Sequence, residues 1–286
     1  MKAGDPAFSI GAFRVSLRAH PSSVVEDGAR VGENVVIGPF CHIGANVALD
    51  SGVELASHVV VAGETHIGAR TKIFPFASIG MRAQDLKSCD DVGRLRIGAD
   101  CIVREGVTIN LGTGAGGGET RIGDNCAFLA NSHVAHDCRI GDRVILSNGV
   151  LLGGHVHIGD HVMIGGGTAV HQHVRVGAHA FVAGQSGLEG DLAPYGLAGG
   201  NRAHLFGLNL VGLRRRGFSN DRVARLREAY GMLFGLDGDT GQSVLAERID
   251  DVARAFADSE DVALLLAFLR ENSSRPLCTP RRRARS

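Results

Sequence analysis

An aliphatic residue returns at every sixth position of this chain. From Val25 the step lands on Val31, Ile37, Ile43, Leu49, Leu55, Val61, Ile67, Ile73 and Ile79, then resumes at Ile97, Val103 and Ile109. A second run from Ile122 passes through Phe128, Val134, Ile140, Leu146, Leu152, Ile158, Ile164, Val170, Val176 and Val182 to Leu188. A strand repeats every two residues and an α-helix every 3.6, so neither alone yields six. A short strand followed by a corner does. Three such units close one triangular coil of eighteen residues, and stacked coils pair their backbones about 4.8 Å apart.

The expected architecture is mainly β: a parallel β-helix of hexapeptide repeats, of the kind that winds left-handed against the usual crossover preference. The recurring aliphatic residue points inward. The glycine that often follows it, as in Val31-Gly32, Ile37-Gly38 and Ile67-Gly68, is expected to relieve strain at the corner. With 41 glycines, 2 tyrosines and no tryptophan, the composition suits tight corners around a narrow interior.

Two intervals break the period. Six-spacing between Ile79 and Ile97 would bury Asp85 and Asp91, so a loop near 81–95 leaves the prism. Ile109 and Ile122 are thirteen apart, and Gly112 to Glu119 reads as a second loop near 111–120. That glycine-rich stretch has no following Lys-Ser/Thr and no helix, which excludes a P-loop. After Pro194 the period stops, and Ser219 or Asn220 caps a helix with the apolar face Val223, Leu226, Tyr230 and Leu233. Two more helical stretches lie near 243–257 and 259–269. The expected organisation is an N-terminal extension over 1–18, the β-helix over 19–195, a C-terminal helical domain over 196–272 that covers the last coil, and a basic, disordered tail over 273–286.

Thirty basic against thirty acidic residues leave no net charge for a nucleic-acid coat, so no nucleic-acid partner is expected. The longest aliphatic run, Val262 to Leu269, is too short for a transmembrane segment, and no signal-peptide core precedes Pro21. Six cysteines without a C-x-x-C pair fit free thiols in a reducing compartment, so the expected location is cytoplasmic.

Residues eighteen apart stand above one another, which places Asp137, His155 and His173 in one column. His136 and His171 lie one or two positions from it, and His133 sits at the preceding corner. A single histidine is more often a surface or corner residue than a catalyst; a column shifts that balance. Metal chemistry would need three imidazoles converging on one ion at about 2.0–2.1 Å. Proton transfer needs only one, whose ordinary pKa near about 6.5 suits a general base. His136-Asp137 offers a base beside a carboxylate, although adjacent strand residues point to opposite faces unless a corner turns them together. A filled prism has flat faces, so a concave site calls for a second or third copy of the chain.

The stretch Asn131-Ser132-His133-Val134-Ala135-His136-Asp137-Cys138 resembles the active-site segment of the acyl-[acyl-carrier-protein]–UDP-N-acetylglucosamine O-acyltransferases, which begin lipid A synthesis. So do Gln84-Asp85-Leu86-Lys87, Ala169-Val170-His171-Gln172, Gly200-Asn201, and Phe206-Gly207-Leu208-Asn209 through Arg215-Arg216-Gly217-Phe218-Ser219. The resemblance runs from about Ala19 to Leu269. It implies a homotrimer that moves an (R)-3-hydroxyacyl group from acyl carrier protein to the 3-hydroxyl of UDP-N-acetylglucosamine. His136 matches the general base, Asp137 its supporting carboxylate, and the Gly154 N–H the oxyanion donor. Substrate contacts carry over to Asp85, Lys87, His133, His155, His171, Gln172 and Asn209, with Arg215 and Arg216 as the diphosphate pair. Gly184 stands at the position that limits acyl-chain length and leaves room for a longer chain. No metal and no dissociable cofactor are implied, since the donor carries its phosphopantetheine on the carrier protein. That carrier is acidic, so basic surface should dock it.

The chain departs from the family at Asn110-Leu111, where His-Arg is common, and at Val211, where Glu is usual. Other readings remain open. The related N-acyltransferase of lipid A synthesis shares the prism but normally carries a separate N-terminal domain. A γ-class carbonic anhydrase needs His-x4-His, whereas His157 and His161 are separated by three residues. A scaffold prism would have no use for His136 together with Arg215-Arg216.

Overall fold

The computed structural model describes residues 18–85, 93–235 and 244–281. Strands of mostly two residues alternate around three faces. The first face runs from Arg18–Ala19 to His204–Leu208 in eleven strands, the second from Val24–Val25 to Gly187–Leu188 in nine, and the third from Arg30–Val31 to Arg175–Val176 in eight. Successive coils pair in parallel, eighteen residues on: His133 with Leu151, Arg139 with His157, Met163 with Phe181. Lys72 pairs instead with Ile102, and Thr108 with His133, thirty and twenty-five residues on. The two loops are therefore insertions of twelve and seven residues, each at a single corner.

The hexad residue is buried along most of the prism: Ile37, Ile73, Val103, Leu146 and Val182 are all at most 1% exposed. A second inward row lies two positions earlier, at Val35, Val53, Cys101, Cys126, Cys138 and Thr168. Its mixture of Val, Cys, Thr and Ser carries no hydrophobic period, which hides it from a sequence reading.

The expected reason for the corner glycines is corrected. Gly38 and Gly68 do not have positive φ; a Cβ on them would lie 2.8 and 2.5 Å from backbone of the next coil. Close stacking requires glycine there, not backbone strain. The left-handed conformation falls three residues before the hexad position, at Asn34, His58, Asn125, Asp137, His155 and His173 among others. Asn, Asp and His tolerate that region better than most side chains, which explains why histidines collect at corners.

The sheet does not end at residue 195. Gly196–Gly199 pairs in parallel with Phe181–Val182, then turns antiparallel onto His204–Leu208. Helices α1 (Leu210–Arg215), α2 (Asn220–Phe234), α3 (Leu245–Ala255) and α4 (Glu260–Arg270) follow. The expected apolar face of α2 is buried, and Ser219 caps it through the Arg222 N–H. The short α1 has no apolar period long enough to read from sequence. Among the described residues no helix is long and apolar enough to cross a membrane.

The tail also differs from expectation. Asp191 N–H donates to Pro276 O at 2.8 Å, Cys278 N–H to Asp191 O at 2.7 Å, and Leu205 N–H to Thr279 O at 3.1 Å. Residues 273–281 are thus a strap bound across the last coils, with Cys278 buried. Arginine content alone gave no hint of these backbone bonds.

Candidate active site

The corner between the second and third faces gathers the predicted chemistry. Asp137 has φ 60°, and this left-handed turn brings its side chain round to its neighbour. His136 Nδ1 lies 2.8 Å from Asp137 Oδ2, with the two side chains 15% and 1% exposed. A buried carboxylate that accepts from the ring fixes the proton on Nδ1 and leaves the Nε2 lone pair free.

Three further bonds hold Asp137. Its Oδ1 accepts from the Thr113 N–H at 3.0 Å, its Oδ2 accepts from the Thr113 hydroxyl at 2.7 Å, and its own N–H donates to Thr120 Oγ1 at 2.8 Å. Thr113 also caps the single turn Gly114–Gly116. A Cβ on Gly116 would come within 2.1 Å of the Asp137 carboxylate, so this glycine is required for approach. The glycine-rich loop therefore clamps Asp137, a role the sequence reading missed. Its seven-residue insertion at the corner one coil earlier was the only available signal.

Gly154 lies under the His136 ring; a Cβ there would be 2.6 Å from Nε2. Among the described residues its N–H has no protein acceptor. His155 stands edge-on to His136 at 5.1 Å and stacks on His173 at 4.4 Å, as the eighteen-residue spacing requires. His133 accepts or donates through Nδ1 to Thr108 Oγ1 at 2.7 Å, and burial, then the His136 charge, lower its pKa. Burial pushes the neighbouring Cys138 thiol up to about 12, which keeps it neutral and non-nucleophilic.

His171 and Gln172 occupy the same corner two coils on from His136. Unforeseen by the sequence, Arg275 of the strap reaches them: its Nη2 is 2.5 Å from His171 Nδ1 and its Nε 2.8 Å from Gln172 O.

The remaining predicted residues lie elsewhere. Arg216 donates to His161 O, and Asn209 Nδ2 donates to His179 O at 2.9 Å while Asn209 Oδ1 caps α1. Both belong to the corner between the third and first faces, a whole face away from His136. Arg215 is exposed at the end of α1, and Val211 is 61% exposed. Arg216 is half-buried, and burial lowers its pKa. Asp85 ends the described part of the first loop, and Lys87 lies outside the described residues. Asn110 and Leu111 are buried, with Leu111 packed over Gly63.

His136, Asp137 and His155 have potential ligand atoms within 4.8 Å of one another. In this arrangement His136 Nδ1 and Asp137 Oδ2 bond each other, which suits proton transfer. A concavity of about 520 Å³, lined by Arg30, Asp50, His66 and Arg94 among others, lies on the third face of the early coils, away from His136.

The fold and this corner define a transferase of the hexapeptide-repeat class: residues 20–63 and 119–154 match the bacterial transferase hexapeptide model, and 191–278 match domain 2 of Udp N-acetylglucosamine O-acyltransferase. The chain is 48% identical to acyl-[acyl-carrier-protein]–UDP-N-acetylglucosamine O-acyltransferase of Rhizobium johnstonii, over 93% of its length and 96% of the relative. The enzyme of that name from Bartonella bacilliformis is 47% identical, over 92% and 94%. The solved UDP-N-acetylglucosamine O-acyltransferase of Moraxella catarrhalis superposes with a TM-score of 0.87 at 37% identity, covering 91% of this chain and 99% of that one. The chain belongs to the acyl-[acyl-carrier-protein]–UDP-N-acetylglucosamine O-acyltransferase family. It is an acyltransferase built on a left-handed parallel β-helix.

Proposed function

We propose that the chain transfers an (R)-3-hydroxyacyl group from acyl carrier protein to the 3-hydroxyl of UDP-N-acetylglucosamine, opening lipid A synthesis in the cytoplasm. The observation that carries this reading is the His136 imidazole, fixed by a clamped carboxylate with Nε2 facing Gly154. Nε2 takes the sugar hydroxyl proton as the oxygen attacks the thioester carbonyl. The Gly154 N–H receives the developing oxyanion. Collapse expels the phosphopantetheine thiolate, which takes from the imidazolium the proton that came from the sugar hydroxyl. General-base assistance contributes about 10²–10⁴-fold, and one oxyanion donor about 10²–10³-fold. Asp137 stabilises the imidazolium without taking its proton.

The working form is a homotrimer. Two observations support it. Asn209 and Arg216 sit one corner away from His136, so one acceptor could touch both groups only across two copies. Exposed apolar residues also flank the corner between the first and second faces: Ile102 at 43%, Ile145 at 37%, Met163 at 36% and Leu151 at 50%. Packing the first face of one copy on the second face of the next closes a ring. His133, His155, His171 and Gln172 would then meet the acceptor from one side, and Asn209, Arg215 and Arg216 from the other. At Gly184 the atom nearest an added Cβ would be Gly166 O at 3.1 Å, and the exposed position admits a long acyl chain. The described cysteines are free and buried, in keeping with a reducing compartment.

The test is transfer to UDP-N-acetylglucosamine from 3-hydroxyacyl carriers of graded length, with and without chelator. The expected result is transfer favouring longer chains and insensitive to chelation. Loss of turnover on chelation, restored by one metal, would overturn the proton-transfer account.

A further inference from the structure

The strap that crosses the last coils delivers a cation to the corner, and its anchors sit on both sides of that cation. On one side Arg175 donates through Nε to the buried Asp191 carboxylate at 2.7 Å and through Nη1 to Glu271 at 2.8 Å, with its guanidinium 4.4 Å over the Phe268 ring. On the other, Pro276 and Cys278 exchange backbone bonds with Asp191. The strap passes so closely that a Cβ on Gly190 would lie 2.6 Å from Pro276 O. Between these anchors Arg275, half-buried, turns its guanidinium onto His171 and Gln172.

We infer that Arg275 is a positioning residue that sets the tautomer of His171 and so makes His171 a hydrogen-bond donor to the acceptor substrate. An arginine has donors and no acceptor, so the 2.5 Å contact makes His171 Nδ1 an acceptor. The ring proton then resides on Nε2. The Gln172 carbonyl lies 3.3 Å from the same Nδ1 and is itself occupied by Arg275 Nε. Without the guanidinium, that carbonyl becomes the natural partner of an Nδ1–H, and the ring changes tautomer. Nε2 would then accept rather than donate, the wrong polarity for a carbonyl or phosphate oxygen of a nucleotide sugar. Arg275 acts through His171, and this role rests on the proposed acceptor.

The experiment combines two readouts on Arg275→Ala and Arg275→Lys. Nitrogen-15 shifts of labelled histidine report the His171 tautomer without any substrate. Steady-state kinetics report KM for UDP-N-acetylglucosamine and for acyl carrier separately. Arg275→Ala should move His171 to the Nδ1–H form and raise the sugar-nucleotide KM about tenfold, the scale of one charged hydrogen bond. kcat and the acyl-carrier KM should stay within about twofold, and Arg275→Lys should restore part of the loss. An unmoved tautomer, or equal losses in both KM values, would overturn the inference. Absence of transfer by the unmodified protein would instead refute the proposed acceptor, while the nitrogen shifts still decided the tautomer.

Discussion

At the corner between the second and third faces His155 and His173 stack 4.4 Å apart; at the next corner His161 and His179 stack 4.8 Å apart. Both pairs arise from the same cause, an eighteen-residue coil with a left-handed position that accepts histidine. Their surroundings differ. The first stack ends on His136 and the clamped Asp137, with His136 Nε2 against Gly154 and without a hydrogen-bond partner among the described residues. The second continues into Tyr195 at 5.5 Å and meets Phe218 edge-on at 5.3 Å, closed over by the C-terminal domain. Burial first, then the charges of His161 and Arg216, lower His179 to about 4. Spacing creates stacks; a buried carboxylate and a free ring nitrogen create a base. The second stack holds neutral imidazoles for packing.

The sharpest break in that contrast is Asp137→Asn. An amide at this position donates to Nδ1, drives the proton to Nε2 and removes the free lone pair. kcat should fall by about 10²–10⁴-fold with the sugar-nucleotide KM nearly unchanged, read in steady-state assays. Thr113→Val keeps the backbone N–H to Asp137 but loses the 2.7 Å hydroxyl bond. Its expected effect is about three- to tenfold on kcat, the worth of one intramolecular hydrogen bond. Unchanged turnover in this variant would free the glycine-rich loop from the role given to it.

The smallest effect belongs to the second stack and appears in stability. The folded protein holds His179 near 4, below the ordinary value of about 6.5. Between those values the unfolded chain binds a proton that the folded chain refuses, so stability falls as pH drops from about 6.5 to about 4 and levels off below. After discounting for solvent screening the effect is about 1–2 kcal/mol. His179→Phe should retain the ring contacts and flatten that part of the profile, measured as denaturation midpoints at neutral and acid pH. An unaltered acid slope would remove His179 from the account.

Periodicity made the prism legible because burial acts on every sixth residue without exception over long runs. The eighteen-residue sum likewise placed Asp137, His155 and His173 together before any coordinates. What stayed hidden depends on atoms rather than spacing. Gly38 and Gly68 look the same in sequence whether they serve φ or close packing, and only the next coil decides. Thr113 lies in an insertion with no period to align it on Asp137. Arg275 sits in an arginine-rich stretch whose order comes from backbone bonds to Asp191, which composition does not record. The substrate residues Asn209 and Arg216 followed from resemblance, yet their place at a different corner from His136 is visible only in three dimensions.

The central claim is best tested by the initial transfer rate of His136→Ala beside that of His179→Phe, under saturating UDP-N-acetylglucosamine. The account predicts a loss of at least about 10²-fold for the first and no more than a few-fold for the second, with both proteins retaining the assembly state of the wild type. Comparable losses in the two, or substantial turnover without the His136 ring, would contradict it.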